Sequence, residues 1–583
     1  MSLLKTHAFA TKHFLFILLF VLSAIFLFKG LDHTLLWQDE AHNAILSSHI
    51  NQYGFPKVWD GKNLITGMNG LDFDEDFMLS WDGLFPYYFT APFISILGKT
   101  TFAARLPFVL IALLSLWVVY NAILQISLRR DYALFTLFFM ATAFIFLLHS
   151  RQSRYYSILP LCSSLSFLGL QQTKSKGGIL LGAAGLILLY HSNMVSFLMV
   201  YLGLALFVLF IGKEKEKFKR LFWISFWCFI FTFPHFFYFQ MWKRKDAMGL
   251  QEFDDFTFRL FGNIIILNKY YLPCLLLPLV FFLKRKILKF KNEIHNPLFS
   301  YSLILIVVSL ILTPFFLRSN IRYLYHLLPF SSYLLAWACL NFVGKKRALM
   351  TLILLFTHLL DYSPVYTCVQ ICKYSKPYFS KAFQKDLSSL YSDLSIFDDE
   401  EGPPRRLIEQ KVQPLGLVQR IIKGEYKSYW NETTQTYPDP LLELIAFLKE
   451  HRKKEEKIFL SVGQYPLLYY YPEAELAYSL SEAPESKKIR EKLDVDQWNS
   501  DAIVWYIPRY FTQVQGPTLK EDQFLLKTIA DGKDFLYYEL KTPEIYWEGN
   551  WPEHVRLYRI KHASISWESL RSSRIYKVVP RND

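Results

Sequence analysis

The sequence is poor in the residue patterns that build disulfide frameworks and metal sites. Only six cysteines occur in 583 residues, and four of them lie within apolar runs, where a free cysteine behaves as a small apolar residue. Cys368 and Cys372 are four residues apart, a spacing that suits neither a common zinc motif nor a redox CxxC pair. The spacing favours unpaired structural cysteines and predicts no cysteine-bound metal.

Charged residues are scarce across much of the first 361 residues. Hydrophobic residues make up 52% of the chain and aromatic residues 18%, which exceeds what a soluble core could bury. Residues 1–361 carry a net charge of +15, whereas residues 362–583 carry −1. Basic loops between membrane spans explain an excess of this kind, so nucleic-acid binding is not expected.

Long apolar runs predict a polytopic membrane protein. A spanning helix needs about 20 apolar residues. Such runs, some of them shorter, predict about eleven spans, near residues 14–36, 102–125, 131–149, 155–171, 178–190, 193–211, 221–240, 262–283, 299–317, 321–343 and 347–361. The first run follows Lys5 and Lys12 and precedes no small-residue cleavage site, so it is interpreted as a retained signal anchor.

Basic residues recur in alternate loops and predict the orientation. Loops on one side contain Arg129-Arg130, Lys174 and Lys176, and basic residues in 213–220, 284–291 and 345–347. The positive-inside rule places these loops and the amino terminus in the cytoplasm, although the outward loop at 243–245 is also basic. We therefore expect an integral protein of a bacterial inner membrane, with its carboxy-terminal part periplasmic or extracellular.

Two segments are predicted to lie outside the membrane. The first, 37–101, belongs to the transmembrane module 1–361, and the second is a separate soluble domain at 362–583. A helix from Pro440 to about Lys454 is predicted there. Strands are predicted at Lys457–Val462, Ala502–Ile507, Phe535–Leu540, Val555–Ile560 and Ile575–Val579. The predicted fold is mainly α, a transmembrane helix bundle with an outward α/β domain.

An acidic pair follows the first predicted span. Asp39 and Glu40 would lie at the start of a helix running towards Ile50, at the membrane surface. One interpretation is structural, with Asp39 as the helix cap and Glu40 favouring the helix dipole. The other is catalytic, because a carboxylate can accept a proton from an attacking hydroxyl.

Several cations are predicted at the same outer rim and favour the catalytic interpretation. They are Arg151, Arg154, His191 and Arg322, the last followed by Tyr323. Ionisable groups so close to the hydrocarbon edge are costly and often line a substrate path, and such cations can hold an anionic phosphate. The alternative is that the arginines snorkel at helix ends and that His191 caps a turn.

Three segments in this region resemble a known enzyme family. They are the Asp39-Glu40-Ala41 motif, the WDGLFPYY stretch at 81–88 and the FAARLP stretch at 102–107. With the segment around Arg151 and the Arg322-Tyr323 pair, their order and topological positions resemble the GT-C superfamily of membrane glycosyltransferases. Within it, the resemblance is to the branch with protein O-mannosyltransferases and the aminoarabinose transferase that modifies lipid A. It covers most of residues 14–345.

The resemblance implies an inverting transfer from a polyprenyl-phosphate or dolichyl-phosphate sugar on the outer face of the membrane. Asp39 would be the catalytic base for an acceptor hydroxyl, carried by an envelope glycan, lipid or protein. The residues implied in donor binding are Glu40, Arg151, Arg154, His191, Arg322 and Tyr323. No cofactor is predicted, and the need for a divalent metal is left open.

The sequence departs from the family at two points. Lipid A-modifying members carry a lysine just before the Pro-Tyr segment, where this chain has Trp81 and Asp82. Many relatives carry an acidic residue after the arginine pair, where this chain has Tyr155. Asp82 is a candidate second acid, with a loop cap as the alternative. The acidic run at 72–76 has no calcium-loop spacing and is predicted to be a solvated loop.

Two other functions are kept as alternatives. A transporter would have inverted repeats or broken helices with charges near the bilayer midplane. The predicted charges lie at the outer rim instead, and the sequence has no such repeat. A receptor with an outward domain would leave the acidic and basic residues of the rim without a purpose. The sequence names neither the sugar nor the acceptor.

Overall fold

The computed structural model describes most of the first 341 residues and parts of the remainder. The described ranges are 2–66, 72–80, 83–173, 175–239, 256–272, 295–316, 321–341, 440–460, 464–476, 503–507, 535–541 and 554–561, with single residues 348, 351, 352, 354, 355, 358, 429, 430, 433 and 434. The first helices are α1 (Ser2–Phe28), α2 (Gln38–Tyr53), α3 (Phe85–Leu97), α4 (Thr101–Ser127), α5 (Arg130–Thr142), α6 (Phe144–His149) and α7 (Ile158–Gln171). They are followed by α8 (Lys176–Tyr190), α9 (Met194–Phe210), α10 (Lys215–Tyr238), α11 (Phe256–Ile266), α12 (Pro297–Phe316) and α13 (Leu328–Asn341).

The mainly helical fold is confirmed. By length and composition, three described helices could each cross a membrane, namely α4, α10 and α12. Shorter apolar helices lie at Phe14–Phe28, Phe85–Leu97, Lys176–Tyr190 and Met194–Phe210. One of these, α3, falls within the segment that was predicted to be an outward loop. The total of about eleven spans stays a prediction.

Regular helix is interrupted near the predicted outer rim. The predicted third span is two helices, because Ala143 between α5 and α6 has extended backbone angles. The predicted fourth and tenth spans begin with 3-10 turns, at Tyr155–Ser157 and Ile321–Leu327. Irregular backbone at membrane depth is tolerated where protein buries it or where it lines a cavity. Arg151 and Arg154 lie between α6 and the first of these turns, and Arg322 lies within the second.

The helix bundle encloses an apolar core rich in aromatic side chains. The rings of Phe167 and Tyr301 stack with centroids 4.1 Å apart, which joins α7 to α12. Helices α7 and α8 approach each other through glycines, since a Cβ on Gly169 would lie 2.4 Å from the backbone nitrogen of Gly182. Small residues of this kind let membrane helices pack at short distance.

A second apolar core joins distant parts of the sequence. It contains residues of α2, of the segments 58–65 and 73–79, and of the start of α4. It also contains α14 (Pro440–His451), β1 (Lys457–Leu460) and α15 (Gln464–Tyr470). The predicted transmembrane module and the predicted C-terminal domain therefore share one hydrophobic core, and their boundary stays a prediction.

Strands lie at four of the five predicted positions. Besides β1 they are β2 (Ile503–Ile507), β3 (Phe535–Lys541) and β4 (His554–Lys561). The sheet order is β1-β2-β4-β3, with β1 and β2 parallel and the other pairs antiparallel. The fifth prediction, Ile575–Val579, lies outside the described residues.

Candidate functional site

The predicted helix that carries the acidic pair is confirmed as α2, although its cap differs from the structural interpretation. Trp37 occupies the N-cap position, and its backbone nitrogen donates to Glu40 Oε2 at 3.3 Å. Asp39 is the second helical residue, so it does not cap the helix. Both carboxylates lie in the first turn, where the helix dipole favours negative charge.

Two predicted rim cations meet at the Asp39 carboxylate. Arg154 Nη2 lies 3.2 Å from Asp39 Oδ2, and Arg322 Nη1 lies 3.3 Å from the same oxygen. The Asp39 side chain remains 31% exposed. The structure therefore brings three of the predicted site residues together, from helix α2 and from two of the irregular segments.

Tyrosine side chains orient these guanidinium groups. Arg322 Nη1 also donates to Tyr156 Oη at 3.3 Å, and its guanidinium carbon lies 5.4 Å from the centre of the Tyr323 ring. Arg154 is placed in the same way over the Tyr155 ring, also at 5.4 Å. Contacts of this geometry are cation–π interactions. Tyr323 thus supports Arg322, and Tyr156 is a site residue that was not predicted.

The charges around Asp39 change its acidity. Burial by itself would raise the pKa of this carboxyl, because the charged form loses solvation. The Arg154 and Arg322 guanidinium groups, with a smaller effect of His42, outweigh burial and hold the pKa below its ordinary value. Asp39 is consequently ionised at neutral pH.

Glu40 has a different environment from its neighbour. Its side chain is 0% exposed, and it forms a two-pronged ion pair with Arg105, from Nε to Oε1 at 2.9 Å and from Nη2 to Oε2 at 2.7 Å. The backbone nitrogen of Ser153 also donates to Oε1, at 2.7 Å. Glu40 therefore links α2 to α4 and to the segment that carries Arg154.

Arg105 fixes the chain that enters α2. Its Nη1 and Nη2 groups donate to the backbone carbonyls of Leu31, Thr34 and Leu35, at 3.0–3.1 Å. Arg105 belongs to the FAARLP segment that contributes to the family resemblance, but the sequence predicted no role for it. A pair between residues 40 and 105 has no signal in local sequence spacing.

Arg151 lies apart from the Asp39 carboxylate. It is buried, Nη2 donates to the Gly30 carbonyl at 2.6 Å, and the guanidinium lies 5.3 Å from the Tyr429 ring centre. Gly30 has φ +58°, and a Cβ there would lie 2.6 Å from the Thr433 carbonyl oxygen, so glycine is required.

His191 ends α8 in the turn before α9. Its carbonyl accepts from the Phe85 backbone nitrogen at 2.9 Å, and its ring lies 5.1 Å from that of His235. Gly83 packs directly on this turn, since a Cβ there would lie 2.1 Å from the His191 carbonyl group. Within the part of the chain that the structure describes, His191 forms no hydrogen bond or ion pair with Asp39.

Three further sequence features are the candidate second acid, the acidic run at 72–76 and a possible metal site. Asp82, the candidate second acid, lies outside the described residues. In the acidic run, Asp74 Oδ1 accepts backbone hydrogen bonds from Asp76 and Met78, as in a loop turn. The described residues include no group of three His, Cys, Asp or Glu side chains that could hold a metal ion.

Comparison with known proteins gives a structural likeness and no sequence match. No family model matches the sequence, and no curated protein matches it. Two crystal structures of ArnT from Cupriavidus metallidurans, one bound to undecaprenyl phosphate and one in the apo state, each superpose with a TM-score of 0.58. Each covers 94% of this chain and 98% of ArnT, at 14% sequence identity. The chain has an ArnT-like fold. At this identity the likeness establishes the fold alone, and the suggested protein O-mannosyltransferase branch stays a prediction.

Proposed function

We propose that this chain is an inverting glycosyltransferase that moves a monosaccharide from a polyprenyl-phosphate carrier to a hydroxyl acceptor. The observation that carries the proposal is the partly exposed Asp39 carboxylate, with two arginines on one of its oxygens. A base beside two cations suits a reaction in which a hydroxyl loses a proton while a phosphate leaves. ArnT was crystallised with undecaprenyl phosphate, which supports the same class of donor.

The reaction begins with an acceptor hydroxyl beside Asp39. Asp39 takes the hydroxyl proton, and the oxygen attacks the anomeric carbon from the face opposite the phosphate. The bond between the anomeric carbon and the phosphate oxygen breaks, and its electron pair stays on the polyprenyl phosphate. The configuration at the anomeric carbon is thereby inverted. Arg154 and Arg322 stabilise the negative charge that grows on the leaving phosphate.

The other predicted donor-binding residues receive different roles. Glu40 is a positioning residue, because its buried carboxylate is occupied by Arg105 and Ser153. Tyr323 orients Arg322 from beneath its guanidinium. Arg151 donates to the Gly30 carbonyl and the His191 carbonyl accepts from the Phe85 nitrogen, and both residues are candidates for contact with the donor.

The proposal includes an orientation for the protein. The amino terminus lies in the cytoplasm, about eleven spans cross a bacterial inner membrane, and Asp39 works at the outer face. The acceptor is an envelope glycan, lipid or protein, and the C-terminal α/β domain lies on the same outer side. A transporter or receptor function is the alternative to this proposal.

The test compares wild-type protein with Asp39→Asn in membranes supplied with labelled polyprenyl-phosphate sugars and a crude acceptor extract. Loss of label from the carrier is followed by chromatography. Because the amide cannot accept the proton, we expect discharge to fall by about 10²–10⁴-fold. Asp131→Asn is the matched control, since Asp131 pairs with Arg129 at the opposite end of α4, on an exposed surface.

The outcomes separate the alternatives. Equal discharge by wild type and Asp39→Asn, at equal amounts of folded protein, would remove Asp39 from the reaction. Discharge that is lost in Asp39→Asn and retained in Asp131→Asn supports the proposal, and the labelled product then identifies the acceptor. If no carrier sugar is discharged by wild type, the transporter and receptor alternatives gain.

A further inference from the structure

The short helix α15, in the C-terminal half, packs directly on the elements that carry Asp39, Glu40 and Arg105. Its sequence is QYPLLYY, and it contacts α2 within the second core. Three of its residues are tyrosines, Tyr465, Tyr469 and Tyr470. Each of them contacts α2, α4 or the residues that lead into one of these helices.

Tyr470 joins the beginnings of both helices. Its hydroxyl accepts from the Leu36 backbone nitrogen at 3.0 Å and lies 2.6 Å from Thr101 Oγ1. Leu36 precedes the N-cap of α2, and Thr101 is the first residue of α4, one helical turn before Arg105. Burial raises the pKa of the Tyr470 phenol to about 12, so the hydroxyl is protonated at neutral pH.

The other two tyrosines add contacts beside it. Tyr469 Oη donates to the carbonyl of Thr100, the N-cap residue of α4, at 3.1 Å. The ring of Tyr465 lies 5.0 Å from that of His42, which is one turn after Asp39 on α2. Further along, the Asn63 side-chain amide donates to the Ala474 carbonyl at 2.8 Å and accepts from the Leu476 nitrogen at 2.9 Å.

These contacts involve the same two helices, α2 and α4, that hold the proposed catalytic base in place. Asp39 and Glu40 share the first turn of α2, and the Glu40–Arg105 ion pair joins that turn to α4. Tyr470 forms a second link between the same two elements, at their amino-terminal ends. A change of about 1 Å in the position of a catalytic group can cost a large factor in rate.

We infer that α15 of the C-terminal half completes the active site, with Tyr470 as a positioning residue that holds the first turn of α2 against α4. The inference rests on the proposed function and extends it, because it assigns the C-terminal half a part in the transfer step. In this role Tyr470 acts through the bonds of its hydroxyl to Leu36 and Thr101.

The experiment compares Tyr470→Phe with Tyr471→Phe in the full-length protein. The first variant keeps the ring and removes the hydroxyl that bonds Leu36 and Thr101. Tyr471 is the matched control, because its hydroxyl accepts from Arg452 Nε at 3.4 Å, within the C-terminal half. Rates of carrier discharge are measured across a range of pH and donor concentration, together with thermal unfolding in detergent.

We expect kcat of Tyr470→Phe to fall about tenfold, since two buried polar groups lose their partner and α2 is held less firmly. The KM for the donor should change little, because the hydroxyl that is removed bonds Leu36 and Thr101. The acid limb of the kcat/KM profile, which reports the free enzyme, should move to higher pH, because Asp39 spends less time beside Arg154 and Arg322 and its pKa rises. Tyr471→Phe should keep the wild-type kcat and pH profile. Tyr469→Phe, which frees the Thr100 carbonyl, is the second variant and should lower kcat in the same direction.

Two results would overturn the inference. The first is a wild-type kcat and pH profile for Tyr470→Phe and Tyr469→Phe. The second is an equal fall of kcat in Tyr470→Phe and Tyr471→Phe that follows the loss of thermal stability. Failure of the proposed function is a separate result, because it appears as undiminished discharge by Asp39→Asn.

Discussion

Asp39 Oδ2 lies within 3.3 Å of two guanidinium groups, and this pairing makes the free carboxylate a weak base. A weak base is poorly suited to accept a proton from a hydroxyl. The same two arginines are the proposed ligands of the donor phosphate. A phosphate that enters the site competes for Arg154 and Arg322 and adds negative charge nearby, and both effects raise the pKa of Asp39.

A pH measurement tests this coupling at the residue scale. Asp39 is active when ionised, so activity falls as the pH falls through its pKa. The profile of kcat/KM for the donor reports the free enzyme, in which the arginines lower that pKa, and the profile of kcat reports the complex. We therefore expect the acid limb of kcat to lie at higher pH than the acid limb of kcat/KM. Coincident acid limbs, or limbs in the reverse order, would contradict the idea that the donor phosphate competes with Asp39 for Arg154 and Arg322.

The Glu40–Arg105 pair gives a second prediction at the same scale. Glu40→Gln removes the counter-charge of Arg105. The loss is costly because the Arg105 side chain is only 7% exposed and water cannot replace the carboxylate. Removing one partner of a buried pair costs about 3–5 kcal/mol, and we expect that loss in denaturant unfolding in detergent. Asp131→Asn breaks an exposed pair with Arg129 and should cost under about 1 kcal/mol. Similar losses in the two variants would exclude a special role for the buried pair.

These residues also mark how far the sequence predicts the site. Asp39, Arg154 and Arg322 were assigned together because each lies at the end of an apolar run on the side predicted to face outward, and they meet in the structure. The partners of Glu40 and Arg151 were not predicted. Glu40 pairs across 65 positions and Arg151 across 121, and hydrophobic periodicity carries no information on such pairs.

At the scale of helices and strands, the sequence predicts where helices lie better than it predicts where they are interrupted. Most of the apolar runs before residue 241 are helices in the structure, and α4 agrees with its predicted span within two residues at each end. The break at Ala143 and the 3-10 turn that begins at Tyr155 were not predicted. The hydropathy of these segments is the same whether the backbone is helical or extended, and tertiary contacts decide between them.

The packing of α7 on α8 gives a prediction about elements. A Cβ on Gly169 would lie 2.4 Å from the Gly182 nitrogen and 2.5 Å from the Gly178 carbonyl oxygen, so Gly169→Ala must push the helices apart. We expect a loss of about 1–3 kcal/mol, seen as a lower midpoint of thermal unfolding. Gly177→Ala is the control, because its Cβ meets only the Ser175 hydroxyl, at 3.3 Å. An unchanged midpoint for Gly169→Ala would contradict the close packing.

At the scale of the whole molecule, the second core joins residues that are about 400 positions apart. The pattern of apolar residues in α14 and α15 predicts that one face is buried, but it does not reveal which surface covers that face. In the structure that surface is α2 and its neighbours, and Tyr429 reaches back to the Phe26 carbonyl at 2.7 Å. A description of 362–583 as a self-contained domain omits these contacts.

Topology follows from the same contacts and can be tested by thiol labelling. The first residue of α4 bonds Tyr470, and α4 is long and apolar enough to cross a membrane, so Leu128 at its far end should lie on the other side from α2 and α14. In a variant that lacks all six native cysteines, Gln52→Cys and Glu450→Cys should react with a membrane-impermeant reagent in intact cells, since both positions are exposed. Leu128→Cys, at a position 85% exposed, should react only after the membrane is opened, because the positive-inside rule predicts that the adjacent Arg129 and Arg130 lie in the cytoplasm. Labelling of Leu128→Cys in intact cells, with protection of the other two, would reverse the orientation and place Asp39 on the cytoplasmic face. Labelling of Gln52→Cys but not of Glu450→Cys would place α2 and α14 on opposite sides of the membrane, which would contradict the shared second core.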